Sequence, residues 1–380
     1  MIYLDNAATT YPKPMSVRRA VSGAISSGAN PGRGGHKMSV SASEQIYKCR
    51  VKAAEMFGAG SVENVIFTPG CTYSVNMVIK GILGSGGHAV ISDMEHNAVV
   101  RPLKALESRG VSYTAVTVSE DDNETISSFR DALRPDTRLV VCTHVSNVWG
   151  MRLPVGRIAA LCRQYGIPIM IDAAQSAGVF PINAEESGFD FVCMPGHKGL
   201  YGPMGTGLLI ARRPELLSTI IEGGTGSASR SPEQPDFPPD KFESGTPNYA
   251  GIVGLSAGLD FVKATGESRI LSHETALTRA FYDRLSREER VIFYTPRPDA
   301  RRFGGVLSFN IRGMDSEAAA QYLSQRAGIA VRAGLHCAPL AHRHFGTLDT
   351  GAVRICPSYF TTMNEINAAA SAVMRLARNS

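Results

Sequence analysis

The chain has 380 residues, 43% of them apolar and 19% charged, so it can bury a sizeable core and falls outside the disordered class. Its formal charge of +5 comes without any run of five or more Lys and Arg, which favours solvated faces and local anion sites over a nucleic-acid platform. The first residues contain no apolar h-region, nowhere do 18 apolar residues follow one another, and the seven cysteines include no Cys-x-x-Cys pair; the chain is expected to be cytoplasmic, with reduced thiols, no membrane span and no zinc ribbon.

Six short apolar runs, at 64–68, 88–92, 138–145, 167–174, 190–194 and 205–211, read as strands, and stretches of helical period such as 155–165 lie between most of them. Continuous apolar strands alternating with helices specify a largely parallel sheet covered on both faces. The Gly-Ser-Gly-Gly-His-Ala string from Gly84 precedes a strand, whereas a dinucleotide fingerprint follows one, and no P-loop occurs. Residues 222–248 are rich in Gly, Ser and Pro and show no periodicity, the mark of a functional or disordered loop. A second unit follows, with a long helix from about Gly251, a strand at 304–312, a helix over 316–326 and strands near Ala330 and Val353. Its last helix opens on a Thr362-x-x-Glu365 capping box.

The chemistry concentrates at strand ends. Asp172 closes a buried parallel strand, where a carboxylate is costly unless paired and where ligands of such sheets bind. Lys198 follows the next strand in a Gly-rich turn, so an acid and a lysine at neighbouring strand ends are placed to grip the two poles of one aromatic cofactor. Pyridoxal phosphate is held in this way, the lysine on its aldehyde and an aspartate on its ring nitrogen; the plainer reading of the two residues is a surface ion pair. The segment Gly70-Cys71-Thr72 lies between a strand and a helix, which makes its amides and the Thr72 hydroxyl an anion site or, more simply, a helix cap. Arg354 suits a bidentate carboxylate clamp. Cys337 lies in Arg332-Ala-Gly-Leu-His-Cys-Ala-Pro339, a Gly- and Pro-flanked loop without a disulfide partner. His342 and His344 stand nearby, but no second cysteine or acidic residue at ligand spacing makes a metal site of them.

Taken in order, Tyr3-Leu-Asp-Asn-Ala-Ala-Thr-Thr10, Arg33-Gly-Gly-His36, Met94-Glu-His96, the Asn147 segment, Asp172-Ala-Ala-Gln175, Gly196-His197-Lys198, Gly223-Gly-Thr225, the Cys337 loop and Arg354 resemble the class V, fold-type I pyridoxal-phosphate enzymes. Within them the pattern is similar to the group II cysteine desulfurases, the selenocysteine-lyase-like branch. The resemblance implies an α/β fold with a mostly parallel seven-stranded sheet in a large domain over 14–255, and a smaller α+β domain of 1–13 and 256–380 that carries the cysteine loop. It implies pyridoxal 5′-phosphate as cofactor, with Lys198 as Schiff-base lysine and proton shuttle, Asp172 on the ring nitrogen, Gln175 on the phenolic oxygen and His96 stacked on the ring. Cys71, Thr72 and His197 would hold the phosphate, and Thr225 would reach it across a homodimer interface. Asn147, Arg354 and His36 would bind L-cysteine, and Cys337 would take its sulfur as a persulfide for a protein acceptor that serves sulfur mobilisation and iron–sulfur assembly.

Rival readings are a selenocysteine lyase, an epimerase or kynureninase-like enzyme, which need no thiol nucleophile, and a non-catalytic sulfur relay. Three positions depart from the branch: Leu335 replaces the first histidine of a His-His-Cys, Pro195 replaces a phosphate-binding serine, and Gly199 is an insertion. A thiolate at Cys337 requires a nearby cation or base, for which His336 is the nearest candidate in sequence.

Overall fold

The computed structural model describes residues 1–32 and 34–379; Arg33, the first residue of the Arg-Gly-Gly-His motif, lies outside them. The N-terminal β1 (Ile2–Tyr3) belongs to a small sheet taken up below. The next strands are β2 (Val65–Thr68), β3 (Gly87–Ser92), β4 (Val111–Val116), β5 (Thr137–Thr143), β6 (Ile169–Asp172), β7 (Phe191–Pro195) and β8 (Gly207–Ala211). Together they form one seven-stranded sheet in the order β2-β8-β7-β6-β5-β3-β4. The pairs from β4 through β7 are parallel, while β8 runs antiparallel to both β2 and β7.

Successive side chains of a strand face opposite ways, so a continuous apolar run feeds two cores at once. Ala89, Ile91, Leu139 and Val141 join the cluster under the helix Cys71–Leu83, which buries Val75, Val78, Ile79 and Ile82 at helical spacing. Val90, Val140 and Cys142 join the opposite cluster, with Phe57 of Lys37–Phe57 and Ile158 of Val155–Tyr165. The six expected strands are all present within two or three residues of their expected ends. The seventh, β4, has exposed Ser112 and Ala115 between buried Val111 and Val116, as befits a sheet edge, and so shows no continuous apolar run.

The later unit contains β9 (Val291–Phe293), β10 (Leu307–Ile311), β11 (Ile329–Ala330) and β12 (Val353–Ile355). Strands β12, β10 and β9 form an antiparallel sheet, and β1 pairs in parallel with β11, which stitches the N-terminus into this unit. The long helix expected from Gly251 is two helices, Tyr249–Thr265 and Glu267–Leu285, separated at Gly266 with φ +85°. The first packs on Met15–Ser27 and Lys37–Phe57, and residue 255, the expected end of the large domain, lies inside it. The last helix, Met363–Asn379, starts on the reciprocal Thr362 and Glu365 bonds of the capping box.

Residues 222–248 form neither helix nor strand. They are pinned to the sheet by Glu243, which takes both guanidinium nitrogens of Arg50 at 2.8 and 2.7 Å and the Phe67 N–H at 2.7 Å.

Candidate active site

The carboxyl ends of β3, β5, β6 and β7 open on a cleft of about 700 Å³ that brings together Cys71, Thr72, His96, Asn147, Asp172, Gln175, His197 and Lys198. Asp172 is the last residue of β6 and is 4% exposed. Its Oδ1 accepts from the Ala174 N–H at 2.8 Å and from the Cys71 thiol at 3.5 Å, and its Oδ2 takes no hydrogen bond from the described residues. Lys198 comes three residues after β7 and makes no ion pair among the described residues. Burial lowers its pKa, an effect that Cys71 and Asp172 oppose. An amine that loses its proton more readily can act as both nucleophile and base.

His96 caps the helix Asn97–Leu106, its Nδ1 accepting from the Ala98 N–H at 2.9 Å. The proton of the neutral ring therefore sits on Nε2, and burial lowers the pKa so that the neutral form persists. Desolvation, Lys198 and Lys13 push His197 down to about 4, and its buried Nδ1 has no partner. Gln175 donates from Nε2 to the Ala7 carbonyl at 3.0 Å.

The helix Cys71–Leu83 begins at the cleft with Gly70 as N-cap, no side-chain cap and no acid in its first turn. The first turn's amides, which the sequence motif marks as an anion site, thus face the cleft without a capping side chain. Gly207 on β8 permits this packing, since a Cβ there would stand 2.6 Å from the Gly70 Cα. Pro195 closes β7 opposite Gly207, and Gly199 passes so near Ala177 that a Cβ would meet its carbonyl oxygen at 2.3 Å. A side chain at Gly199 would force this turn to shift.

Arg354 lies on β12 behind the cleft, 3% exposed. Its Nη1 donates to the Asn147 carbonyl at 2.8 Å, its Nη2 pairs with Asp5 at 3.2 Å, and its buried Nε has no partner. Asp5 is a carboxylate that sequence reasoning missed. It also pairs with Arg332, and the parallel pairing of β1 with β11 together with its own bridge to Cys356 brings it there. Glu95 was missed too. It is fully buried, burial pushes its pKa up to about 8, and it bonds Ser92 at 2.5 Å and the Thr143 N–H at 2.7 Å beneath His96.

Cys337 is exposed, on a loop whose neighbours Asn147 and Asn97 bond its backbone at the cleft rim. His336 does not supply the cation expected for it. Its ring is turned inward, Nε2 donates to the Ala352 carbonyl at 3.0 Å, and burial with Arg354 pushes its pKa down to about 3. Arg332, the other cation of this loop, is held by Asp5, its Nη2 lying 2.9 Å from Oδ2. His342 bonds Thr347 and His344 bonds Asp93, and no group of three or more potential metal ligands is assembled among the described residues. Neither Arg354 nor Cys337 lines the cleft itself, and two further expected residues lie farther from it. Thr225 lines an adjoining cavity of about 930 Å³, and His36 caps Lys37–Phe57, accepting from the Ser39 N–H at 3.3 Å.

A family model for aminotransferase class-V matches residues 2–368. The chain belongs to the class-V aminotransferase family. This class-V chain is 35% identical over 373 residues to a Methanothermobacter thermautotrophicus protein named "Probable cysteine desulfurase", with 96% of this chain and 92% of the relative covered. It is 35% identical over 357 residues to a cysteine desulfurase of Klebsiella pneumoniae, covering 90% and 86%. The apo structure of cysteine desulfurase from Thermococcus onnurineus NA1 matches with a TM-score of 0.91 at 29% identity, over 100% of this class-V chain and 95% of the other. The mostly parallel seven-stranded sheet is that of the fold-type I pyridoxal-phosphate enzymes.

Proposed function

We propose that the chain is a cysteine desulfurase that binds pyridoxal 5′-phosphate in the cleft, converts L-cysteine to L-alanine and leaves the sulfur on Cys337. The observation that carries this reading is one cleft holding a desolvated lysine, a strand-end aspartate and an uncapped helix N-terminus, bordered by an exposed cysteine. The residues fit the cofactor. Asp172 Oδ2 is left to receive a ring N–H, and the first-turn amides and Thr72 suit the phosphate.

When bound, pyridoxal phosphate supplies an electron-withdrawing ring that stabilises negative charge at the substrate Cα. Lys198 removes the Cα proton, its basicity already reduced by burial. Arg354 and Asn147 would orient the carboxylate, and His96, its Nδ1 fixed by Ala98, would help hold the cofactor ring. The Cys337 sulfur bonds the substrate sulfur as the Cβ–S bond breaks, and its electrons and a proton end on Cβ. Cysteine plus enzyme thiol become alanine plus enzyme persulfide, so no outside oxidant is needed.

The active species in this reading is a homodimer. Tyr11, Met15, Ile25, Met38 and Phe237 are exposed apolar side chains, and Thr225 lines the cavity beside the cleft, where it could serve a second copy's phosphate. The thiol of Cys337 is open to a protein acceptor. All seven cysteines are free, in keeping with the reducing, cytoplasmic setting proposed, and among the described residues no helix is long and apolar enough to cross a membrane. The division into 14–255 against 1–13 with 256–380 rests on the β1–β11 pairing.

The test is titration with pyridoxal phosphate, followed by alanine assay on L-cysteine. Wild type should turn yellow and form alanine, while Lys198→Ala should lose the colour and the activity. A wild type that takes up no cofactor would end this reading.

A further inference from the structure

The His336–Cys337 turn has an uncommon backbone. Neither residue is glycine, yet they sit at φ +49° and +57°, a left-handed region that such residues hold only where their surroundings fix them. Three bonds from outside the loop do so. Asn147 Nδ2 donates to the His336 carbonyl at 2.7 Å, the Asn97 N–H donates to the Cys337 carbonyl at 2.7 Å, and the His336 ring is bonded to Ala352. Two of these donors belong to the cleft. Asn147 lines it, and Asn97 stands between His96 and Ala98, which line it as well. Asn147 also accepts from Arg354 at its own carbonyl, so one residue bonds both the carboxylate-binding arginine and the cysteine loop.

We propose that Asn147 is a positioning residue for Cys337, whose side-chain amide locks the His336–Cys337 turn to the cleft and so sets where the thiol stands relative to the substrate sulfur. Sulfur–sulfur attack requires the nucleophile close to and in line with the bond that breaks, and a free loop spends little time in that geometry. The catalytic consequence rests on the cysteine-desulfurase reading, whereas the lock itself is a property of the free protein.

The experiment compares cofactor-loaded wild type, Asn147→Ala and Cys337→Ala. First, the rate at which iodoacetamide alkylates Cys337 is read by peptide mass. Second, alanine formation is measured from L-cysteine and from L-cysteine sulfinate, whose substituent leaves as sulfur dioxide with the bonding electrons kept on carbon and therefore needs no thiol. In Asn147→Ala the alkylation rate should rise at least about threefold. Turnover of L-cysteine should fall at least about tenfold further than turnover of the sulfinate, which shares any loss of carboxylate binding, and the cofactor colour should persist. An unchanged alkylation rate overturns the proposal, as does an equal loss on both substrates, which would place Asn147 on the shared carboxylate alone. If wild type forms no alanine from L-cysteine, the desulfurase reading fails, and the alkylation rate still decides the lock.

Discussion

Removing the Glu243 carboxylate should destabilise the protein more than any other change in residues 222–248. Glu243 accepts three hydrogen bonds, two from Arg50 and one from the Phe67 amide, and the Arg50 and Glu243 side chains are 8% and 18% exposed. Arg50 also lies over the Phe67 ring at 4.6 Å. Glu243→Ala leaves a buried guanidinium without a counter-ion and a backbone amide without an acceptor, at a cost of about 3–5 kcal/mol. Replacing both partners, as Arg50→Met with Glu243→Leu, removes the buried charge together with its partner. The Phe67 N–H and the Val65 carbonyl, which Arg50 also bonds, are then left without side-chain partners, so the double variant should be more stable than Glu243→Ala by about 1–2 kcal/mol while remaining below wild type. Urea unfolding followed by the fluorescence of Trp149, the single tryptophan and fully buried, measures both. A loss below about 1 kcal/mol in Glu243→Ala, or a double variant as unstable as the single one, would refute the reasoning.

Other outcomes follow from buried groups. Burial pushes Glu274 up to about 8, so the folded form keeps a proton that the unfolded chain gives up above about 4.5. Its contribution is therefore complete at low pH and declines as pH rises through that window. Glu274→Gln should flatten this decline, and urea midpoints at about pH 5 and 8 that shift equally in variant and wild type would contradict it. With His336 titrating near 3, His336→Gln should leave the apparent pKa of L-cysteine turnover within about half a unit between about pH 6 and 9, and a larger shift would restore His336 as the base. Gly199→Ala forces a Cβ against the Ala177 carbonyl beside Lys198; it should cost about 1–3 kcal/mol and weaken cofactor binding in a spectral titration, and unchanged stability and binding would contradict this.

The sheet was legible because its central strands are apolar on both faces, a pattern that survives without any partner in view. Asp172 and Lys198 could be placed at its carboxyl edge for the same reason. What stayed hidden depends on pairings distant in sequence. Asp5 reaches Arg354 through β1 beside β11 and its own bridge to Cys356, and Glu95 looks like an ordinary polar residue until Ser92 and Thr143 enclose it. The edge strand β4 and the three-residue β9 lack a long apolar signal. His336 was read from adjacency to Cys337, but two successive left-handed residues turn the ring inward while the thiol stays exposed. Arg332, five positions before Cys337, is taken up by Asp5 from the N-terminus, a pairing no periodicity encodes.

The most direct measurement is the mass of the Cys337 peptide after cofactor-loaded protein meets L-cysteine, with alanine assayed in the same sample. Wild type should gain one sulfur atom on Cys337 as alanine forms, and neither should occur in Cys337→Ala or Lys198→Ala. Alanine formed at the wild-type rate by Cys337→Ala, or wild-type alanine with no sulfur on Cys337, would contradict the assignment of Cys337 as the sulfur acceptor.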